Sequence, residues 1–225
     1  MSAAFVTGAG TDIGKTFVTV ALIHEFRRRG RGVQALKPVV SGFDPAQPET
    51  SDPGILLQAL GRRASGEELD RISPWRFAAP LAPDMAARRE GKSLHFEALL
   101  AFTRRTIATA SDALLIEGVG GVMVPLDNEH TVLDWIAALR LPAFLVAGSY
   151  LGAISHALTA LDALRRREIR VTALIVNETP GSTVALDETT ATVTRFARPV
   201  EVLALPRLPN AVTPHPTLQR LADLL

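Results

Sequence analysis

A glycine-rich segment, Gly8–Thr16, directly follows the apolar run Ala3–Val6 and contains residues suited to phosphate chemistry. Glycines let a backbone curl so that several N–H groups point inward at phosphate oxygens. Lys15 can place a positive charge beside β- and γ-phosphates, and the hydroxyl of Thr16 can ligate Mg²⁺. The usual spacing would put the first glycine at Ala9, so this loop is a lengthened variant. The segment predicts a nucleoside triphosphate site, against the plainer alternative of a glycine-rich turn with a chance lysine.

Two carboxylates are candidates for ordering the metal ion of such a site. Glu117 ends the apolar run Ala113–Ile116, and a strand tip is where a phosphate-loop protein places its second Mg²⁺-ordering carboxylate. The glycines in the following segment, Gly118-Val119-Gly120-Gly121, allow the backbone to approach a ligand closely. Asp52 follows Ser51 on a loop or helix start. The sequence leaves open whether Asp52 serves the metal or only caps a helix.

Three more polar segments follow apolar runs. Lys37–Gly42, with a lysine and the hydroxyl of Ser41, comes after a run that begins at Val33. The loop Gly148–His156 joins a strand to a helix, and its glycines and the helix start predict an anion-binding corner suited to a carboxylate. Asn177 lies at another strand end, where its amide can read the edge of a purine.

The order of the elements predicts an α/β fold with a mostly parallel β-sheet flanked by helices on both faces, similar to P-loop NTPases. Most strand-like runs are continuously apolar, which indicates parallel strands buried on both faces. We expect a single domain over residues 1–225, with a Pro-rich insertion around 43–91 that contains two short helices, roughly Asp52–Leu60 and Asp84–Arg89. The expected strands are Ala3–Thr7, Val33–Val40, Ala113–Glu117, Ala143–Ala147, Val171–Asn177 and Val200–Leu205.

The composition excludes several classes of function. A net charge of +1 gives no electrostatic footprint for nucleic acid or an anionic membrane as partner. The chain has no cysteine, which removes disulfides, thiolate metal sites and a Cys nucleophile and fits a cytoplasmic location. The N-terminus has no basic segment followed by a long apolar stretch, so we expect no signal peptide. The five histidines lack metal-ligand spacing.

Taken together, these segments resemble the dethiobiotin synthetases, ATP-dependent enzymes of biotin synthesis, over nearly the whole chain. The phosphate loop has that family's lengthened spacing and its Thr-acid-aliphatic-Gly-Lys-Thr ending. Two positions depart from the family pattern: Tyr150 stands where members carry Lys or Arg, and Ser155 stands where they carry Asn. The other segments that carry the resemblance, in the family's order, are Lys37–Gly42, Ser51-Asp52, Pro74–Pro83, Glu117–Gly121 and Leu151–His156.

The resemblance implies a reaction and a role for each site residue. ATP and Mg²⁺ would drive closure of 7,8-diaminononanoate with CO₂ into a cyclic urea, through a carbamate and a carbamic-phosphoric anhydride, in a homodimer. The implied catalytic residues are Lys37, Lys15 and Thr11. The implied nucleotide-binding residues are Gly8, Asp12, Ile13, Gly14, Lys15, Thr16, Glu117, Gly118 and Asn177. The implied metal ligands, direct or through water, are Thr16, Asp52 and Glu117. The implied substrate residues are Ser41, Gly118, Val119, Gly120, Gly121, Leu151, Gly152 and Ser155.

Other functions on the same scaffold stay open at this point. An amide ligase would need an ammonia source, and the chain has no Cys-dependent glutaminase domain. A partitioning or switch-type ATPase commonly carries an extra lysine where this chain has Gly10. A relative that binds nucleotide without turnover is the third alternative, because of Tyr150 and Ser155.

Overall fold

The computed structural model describes residues 2–225, which form a parallel β-sheet flanked by helices. The strands are β1 (Ala3–Gly8), β2 (Val33–Leu36), β3 (Val39–Ser41), β4 (Trp75–Phe77), β5 (Ala113–Glu117), β6 (Ala143–Gly148), β7 (Val171–Asn177) and β8 (Glu201–Leu205). The helices are α1 (Lys15–Arg28), α2 (Asp52–Ala59), α3 (Gly66–Ile72), α4 (Pro83–Arg89), α5 (Phe96–Thr109), α6 (Val132–Leu139), α7 (Ala153–Arg166), α8 (Leu186–Ala197) and α9 (Pro216–Asp223), with a 3₁₀ turn at Pro48–Thr50.

The main sheet has six strands in the order β2-β5-β1-β6-β7-β8, and every pairing among them is parallel. Because parallel strands end at a common edge, the segments that follow β1, β5, β6 and β7 meet there. In the register of the sheet, Val6 lies opposite Glu117 and Gly148 lies opposite Asn177. This confirms the predicted α/β fold and brings the predicted polar strand ends to one edge.

The central strands consist mainly of apolar residues, and the structure buries them because helices cover both faces of the sheet. Every residue of β5 and β6 is buried. Helix α1 buries Val18, Leu22 and Phe26 at helical spacing, and it ends in the basic residues Arg27 and Arg28, which suit the negative end of the helix dipole. Among residues 2–225, no helix combines the length and apolar character needed to cross a bilayer.

The predicted strand Val33–Val40 is wrong in one respect, because it forms two strands in different sheets. Strand β2 ends at Leu36, and Lys37 donates its backbone N–H to the Ile72 carbonyl at 3.0 Å. Pro38 has no N–H to donate to a sheet, so the chain turns out of the main sheet here. Strand β3 then pairs with β4 in a separate two-stranded sheet.

The Pro-rich segment around 43–91 contains more regular structure than the two helices expected there. Helices α2 and α4 are confirmed, but the segment also contains the 3₁₀ turn, α3 and β4. The side chain of Ser65 caps α3 by accepting from the Glu68 amide. The start of the segment is joined to β4, because the Phe43 amide donates to the Phe77 carbonyl at 2.9 Å.

Candidate functional site

The glycine-rich segment connects β1 to α1, and its last glycine is required by geometry. Gly14 precedes α1 in a left-handed conformation with φ of +93°. A Cβ atom on Gly14 would lie 2.2 Å from Nδ2 of Asn177. That amide nitrogen donates to the Ile13 carbonyl at 3.0 Å. Asn177 thus joins the end of β7 to the phosphate loop by a hydrogen bond, and any side chain larger than that of glycine at position 14 would collide with Asn177.

Lys15 lies at the first position of α1 with its ammonium group turned back into the loop. Its Nζ donates to the Gly10 carbonyl at 2.9 Å, and the residue is 6% exposed. Burial, followed by repulsion from the charge of Lys37, lowers the pKa of Lys15 to about 8. A buried cation with a depressed pKa is expected to gain stability when a phosphate anion binds beside it.

A second lysine, Lys37, lies between two carboxylates. Its Nζ is 2.7 Å from Oε1 of Glu117 and 3.0 Å from Oδ2 of Asp52, and it also donates to the Gly118 carbonyl at 2.9 Å. Burial alone would lower the pKa of Lys37, but attraction to Glu117 and Asp52 outweighs burial and raises it. Lys37 is therefore a fully charged ammonium at neutral pH.

Asp52 faces this cluster and does not cap its helix. The cap of α2 is Ser51, whose side chain accepts from the Gly54 amide, and Asp52 is the first helical residue. Burial would raise the pKa of Asp52, but the charge of Lys37 and hydrogen bonds from Lys37 and Thr16 lower it. The alternative in which Asp52 is only a helix cap is therefore wrong.

Thr16 joins both carboxylates. Its Oγ1 lies 2.9 Å from Oδ1 of Asp52 and 2.7 Å from Oε1 of Glu117. The other carboxylate oxygen of Glu117, Oε2, is buried and has no hydrogen-bond partner within residues 2–225. A hydroxyl, two carboxylates and an unsatisfied buried oxygen form a donor set suited to a hard divalent cation.

The segment after β5 lies against the phosphate loop. Gly118 donates its amide to the Val6 carbonyl at 2.9 Å, and Val122 donates to the Gly8 carbonyl at 3.0 Å. A Cβ on Gly121 would lie 3.3 Å from the Gly10 nitrogen. The glycines of this segment thus permit close backbone packing, and Gly121 supports the phosphate loop.

These elements surround a cleft of about 820 Å³. Ten residues predicted for the site line it: Thr11, Asp12, Gly14, Lys15, Thr16, Lys37, Ser41, Asp52, Val119 and Gly120. The buried Oγ of Ser41 has no partner in the described part of the chain. The remaining lining residues are apolar: Val40, Pro80, Leu81, Ala82, Pro83 and Val124. The lining of the cleft thus combines cationic and hydroxyl-bearing residues with apolar ones.

A second, smaller pocket of about 100 Å³ adjoins the phosphate loop on the side of β7. Asp12 and Gly14 line both pockets, and Ile13 and Asn177 line the smaller one. The other lining residues are Phe17, Glu178, Thr179, Pro180, Pro206, Arg207 and Leu208. Because Nδ2 of Asn177 already donates to the loop, its Oδ1 is the atom left to accept from a base.

The predicted residues before α7 do not join the cleft in this chain. Leu151, Gly152 and Ser155 are absent from its walls, and Leu151 is 90% exposed. Tyr150, which replaces the basic residue of the family pattern, has its hydroxyl 2.9 Å from Nδ1 of His156. The predicted substrate contacts of this loop are therefore not brought to the phosphate loop within one chain.

Sequence reasoning missed several residues of both pockets. Val124 and Leu81 have no chemical signal in the sequence, since apolar residues in loops are common. Arg207 and Leu208 lie in the segment after β8, a strand end like the others, and that position could have indicated them. Phe17 lines the smaller pocket and is partly buried against the core, and nothing in its residue type indicates the pocket.

Solved structures with a similar fold include P-loop ATPases. The Pyrococcus furiosus cell division ATPase MinD aligns with a TM-score of 0.60 at 16% identity, covering 100% of this chain and 98% of that one. A ParA family ATPase from Chlorobium tepidum aligns with a TM-score of 0.54 at 16% identity, covering 99% and 96%. Likeness at this identity shows the fold alone.

Sequence similarity identifies a more specific group of proteins than the shared fold does. Residues 2–215 match a family model described as an AAA domain. The ATP-dependent dethiobiotin synthetase BioD of Methylobacterium nodulans is 50% identical over 212 residues, covering 92% of this chain and 94% of that protein. The proteins of the same name from Phenylobacterium zucineum and Caulobacter vibrioides are 48% and 46% identical, covering 92% and 93% of this chain and 89% and 94% of theirs. This chain belongs to the ATP-dependent dethiobiotin synthetase family.

Proposed function

We propose that this protein is an ATP-dependent ligase that closes 7,8-diaminononanoate and CO₂ into the cyclic urea of dethiobiotin. The observation that carries the proposal is one cleft that is lined by Lys15, Lys37 and a group of apolar residues. An amine captures CO₂ as a carbamate, a carbamate oxygen attacks the γ-phosphorus of ATP, and ADP leaves. The second amine then attacks the carbonyl carbon and displaces phosphate, which closes the ring.

The chain's part in this chemistry is to position charges. Lys15 binds the β- and γ-phosphates from the phosphate loop, and Lys37 neutralises the carbamate and the migrating phosphoryl group. Thr11 and Ser41 donate to carbamate or phosphate oxygens. The buried, unpartnered Oγ of Ser41 supports this role, because a buried hydroxyl without a partner is costly unless a ligand supplies one.

Mg²⁺ fits the cluster formed by Thr16, Asp52 and Glu117. Mg²⁺ is usually held by one or two protein carboxylates together with substrate phosphates. The two carboxylates and one hydroxyl of this cluster agree with that pattern. Residues 2–225 contain no larger group, of three or more His, Cys, Asp or Glu side chains, that could hold a metal by protein ligands alone. When bound, the ion would neutralise charge on the β- and γ-phosphates.

The smaller pocket is proposed as the site of the adenine base. Oδ1 of Asn177 would accept from the exocyclic amino group, and Phe17 and Leu208 offer apolar contacts to the ring. Gly14, shared by both pockets, places this base site directly beside the phosphate site. The backbone of Gly8, Asp12 and Ile13 would complete the nucleotide site.

A second copy of the chain is proposed to complete the site for the diamine. The N-terminus of α7 has no side-chain cap, so its amides are available to a carboxylate. Leu151, Gly152 and Ser155 lie at this helix end, outside the cleft of their own chain. We propose that a homodimer brings them to the cleft of the partner, while Gly118–Gly121 contact the diamine from within the same chain. Because the reaction consumes ATP, we place the enzyme in the cytoplasm.

The proposal is tested by phosphate release from MgATP with bicarbonate, with and without 7,8-diaminononanoate, and with mass analysis of the product. We expect diamine-dependent phosphate release and a product that has gained CO₂ and lost water, formed once per ATP. A matched control uses 8-aminononanoate, which has one amine and cannot close a ring. ATP hydrolysis that ignores the diamine would contradict the proposal and favour a switch-type ATPase.

A further inference from the structure

The ammonium group of Lys37 is surrounded by three oxygen atoms of other residues. A lysine ammonium has three N–H donors. Here they meet Glu117 Oε1 at 2.7 Å, the Gly118 carbonyl at 2.9 Å and Asp52 Oδ2 at 3.0 Å. In this arrangement Lys37 can bind a phosphoryl oxygen only by giving up one of these bonds.

The two carboxylates that hold Lys37 are also the proposed metal ligands. The hydroxyl of Thr16 lies within hydrogen-bond distance of the same Oε1 of Glu117 and of the other oxygen of Asp52, Oδ1, and its one proton can be donated to either. Lys37 therefore occupies the immediate surroundings of the proposed Mg²⁺ site. Two carboxylates carry a charge of −2, which an ammonium alone leaves partly uncompensated. An ammonium and a divalent cation held at the same oxygens would repel each other strongly in this buried setting.

The two acids hold Lys37 unequally. The side chain of Glu117 is fully buried and that of Lys37 is 3% exposed, whereas the side chain of Asp52 is 39% exposed. Asp52 is also the first residue of α2, outside the main sheet, while Glu117 ends a central strand. Of the two ion pairs, the one with Asp52 is therefore the easier to break, because Asp52 is already partly exposed to solvent.

We infer that Lys37 is the internal counter-ion of these carboxylates, and that it leaves Asp52 for the cleft when a divalent cation occupies the site. The inference rests on the proposed metal site. In the absence of metal, Lys37 keeps two acidic groups from facing each other unpaired. Once released from Asp52, its free N–H points to the space where a phosphoryl group would be transferred. Lys37 is thereby withheld from substrate until the metal is in place.

The test compares thermal unfolding midpoints in Mg²⁺ and in EDTA, without nucleotide, for the wild type and Lys37→Met. Lys92→Met is the matched control, because Lys92 is also paired with a carboxylate, Glu90, outside the cleft. Without its internal counter-ion, Lys37→Met should bind Mg²⁺ at least about tenfold more tightly. At a Mg²⁺ concentration near 100 times the Kd of that variant, its midpoint should rise by roughly 5–10 °C. The wild type and Lys92→Met should respond less, and alike.

Equal Mg²⁺ responses in Lys37→Met and the wild type would overturn the inference but leave the metal site standing. No Mg²⁺ response in any variant, with or without AMP-PNP, would overturn the metal site and the inference with it. If Lys37→Met folds only in Mg²⁺, the inference is supported in its strongest form. If Lys37→Met does not fold at all, a crystal structure of the wild type with Mg²⁺ and AMP-PNP decides. A broken contact between Lys37 and Asp52 supports the inference, and a retained one overturns it.

Discussion

Lys37 and Glu117 form a buried ion pair in which Nζ lies 2.7 Å from Oε1 and neither side chain is more than 3% exposed. Lys37 directly follows β2 and Glu117 is the last residue of β5, so the pair forms at the carboxyl ends of two neighbouring parallel strands. An ion pair at this depth is costly to assemble unless its geometry and hydrogen bonds are good. Lys37 of this pair lines the cleft that we assign to phosphoryl transfer.

The first prediction concerns Lys37→Gln. Glutamine is one atom shorter than lysine but keeps an N–H donor that can be directed toward Glu117, so the variant should fold and bind ATP. Loss of the charge should lower kcat for ring closure by at least ~10²-fold, since a charge that stabilises a transferring phosphoryl group contributes on this scale. Single-turnover product formation and nucleotide titration measure the two properties separately. Lys92→Gln is the control, and near-wild-type kcat in Lys37→Gln would remove Lys37 from the mechanism.

The second prediction is a pH dependence of nucleotide binding. Burial and the nearby charge of Lys37 lower the pKa of Lys15 to about 8 in the free protein. Only the protonated form pairs with phosphate, so binding should be constant below pH 7 and weaken as the pH rises through 8. At pH 9 the AMP-PNP affinity should be roughly tenfold lower. Lys15→Arg stays charged over this range and should show no such decline. Calorimetric titration checks this, and a wild-type Kd unchanged at pH 9 would contradict it.

The third prediction compares two glycines with positive φ. Gly14 and Gly30 have φ of +93° and +68°, but a Cβ would meet Asn177 at the first and nothing within 4 Å at the second. Gly30→Ala should therefore lower stability by about 1 kcal/mol, the cost of the left-handed backbone, and leave nucleotide affinity unchanged. Gly14→Ala should in addition displace Asn177 from Ile13 and weaken AMP-PNP binding by at least about tenfold. Urea unfolding and nucleotide titration distinguish them; equal nucleotide affinity in both variants would count against the proposed base site.

The fourth prediction concerns the proposed dimer. Leu151 is 90% exposed at the start of α7, and Phe196 is 64% exposed on α8. Leu151→Glu should shift the protein to monomers and reduce diamine-dependent turnover, because a buried charge is unfavourable in an interface core. Phe196→Glu introduces the same charge elsewhere and should leave the assembly intact. Sedimentation velocity gives the masses, and a dimeric Leu151→Glu would exclude this helix end from the interface.

The sequence alone was sufficient to predict the phosphate loop and the strand ends around it. Gly8–Thr16 and Glu117 are local signals: an apolar run followed by glycines or by an acid requires no knowledge of distant contacts. The parallel order of the strands then forces their ends to one edge. That shared edge brings Thr16 close to Asp52 and Glu117, which come from other elements. The sequence could predict that these residues are near one another but not which atoms are in contact.

Other features depend on tertiary context and were out of reach. Pro38 could have indicated the break in the predicted strand Val33–Val40, but only the second sheet shows that β3 pairs with β4. The carbonyl of Gly118 accepts a hydrogen bond from Lys37, and a backbone carbonyl cannot be recognised as a partner from the residue type. The cap of Ser65 on α3 did have one, since Ser65 is followed three residues later by Glu68, and this pattern could have revealed the helix.

The central claim is that a carbamate oxygen attacks the γ-phosphorus of ATP in this cleft. It is tested most directly by supplying bicarbonate labelled with ¹⁸O and analysing the released phosphate by mass, within a time short against exchange of the label with water. The oxygen that bridges carbon and phosphorus in the mixed anhydride leaves with phosphate when the second amine attacks carbon. The account predicts one labelled oxygen in each phosphate formed. Unlabelled phosphate alongside labelled cyclic urea would contradict it.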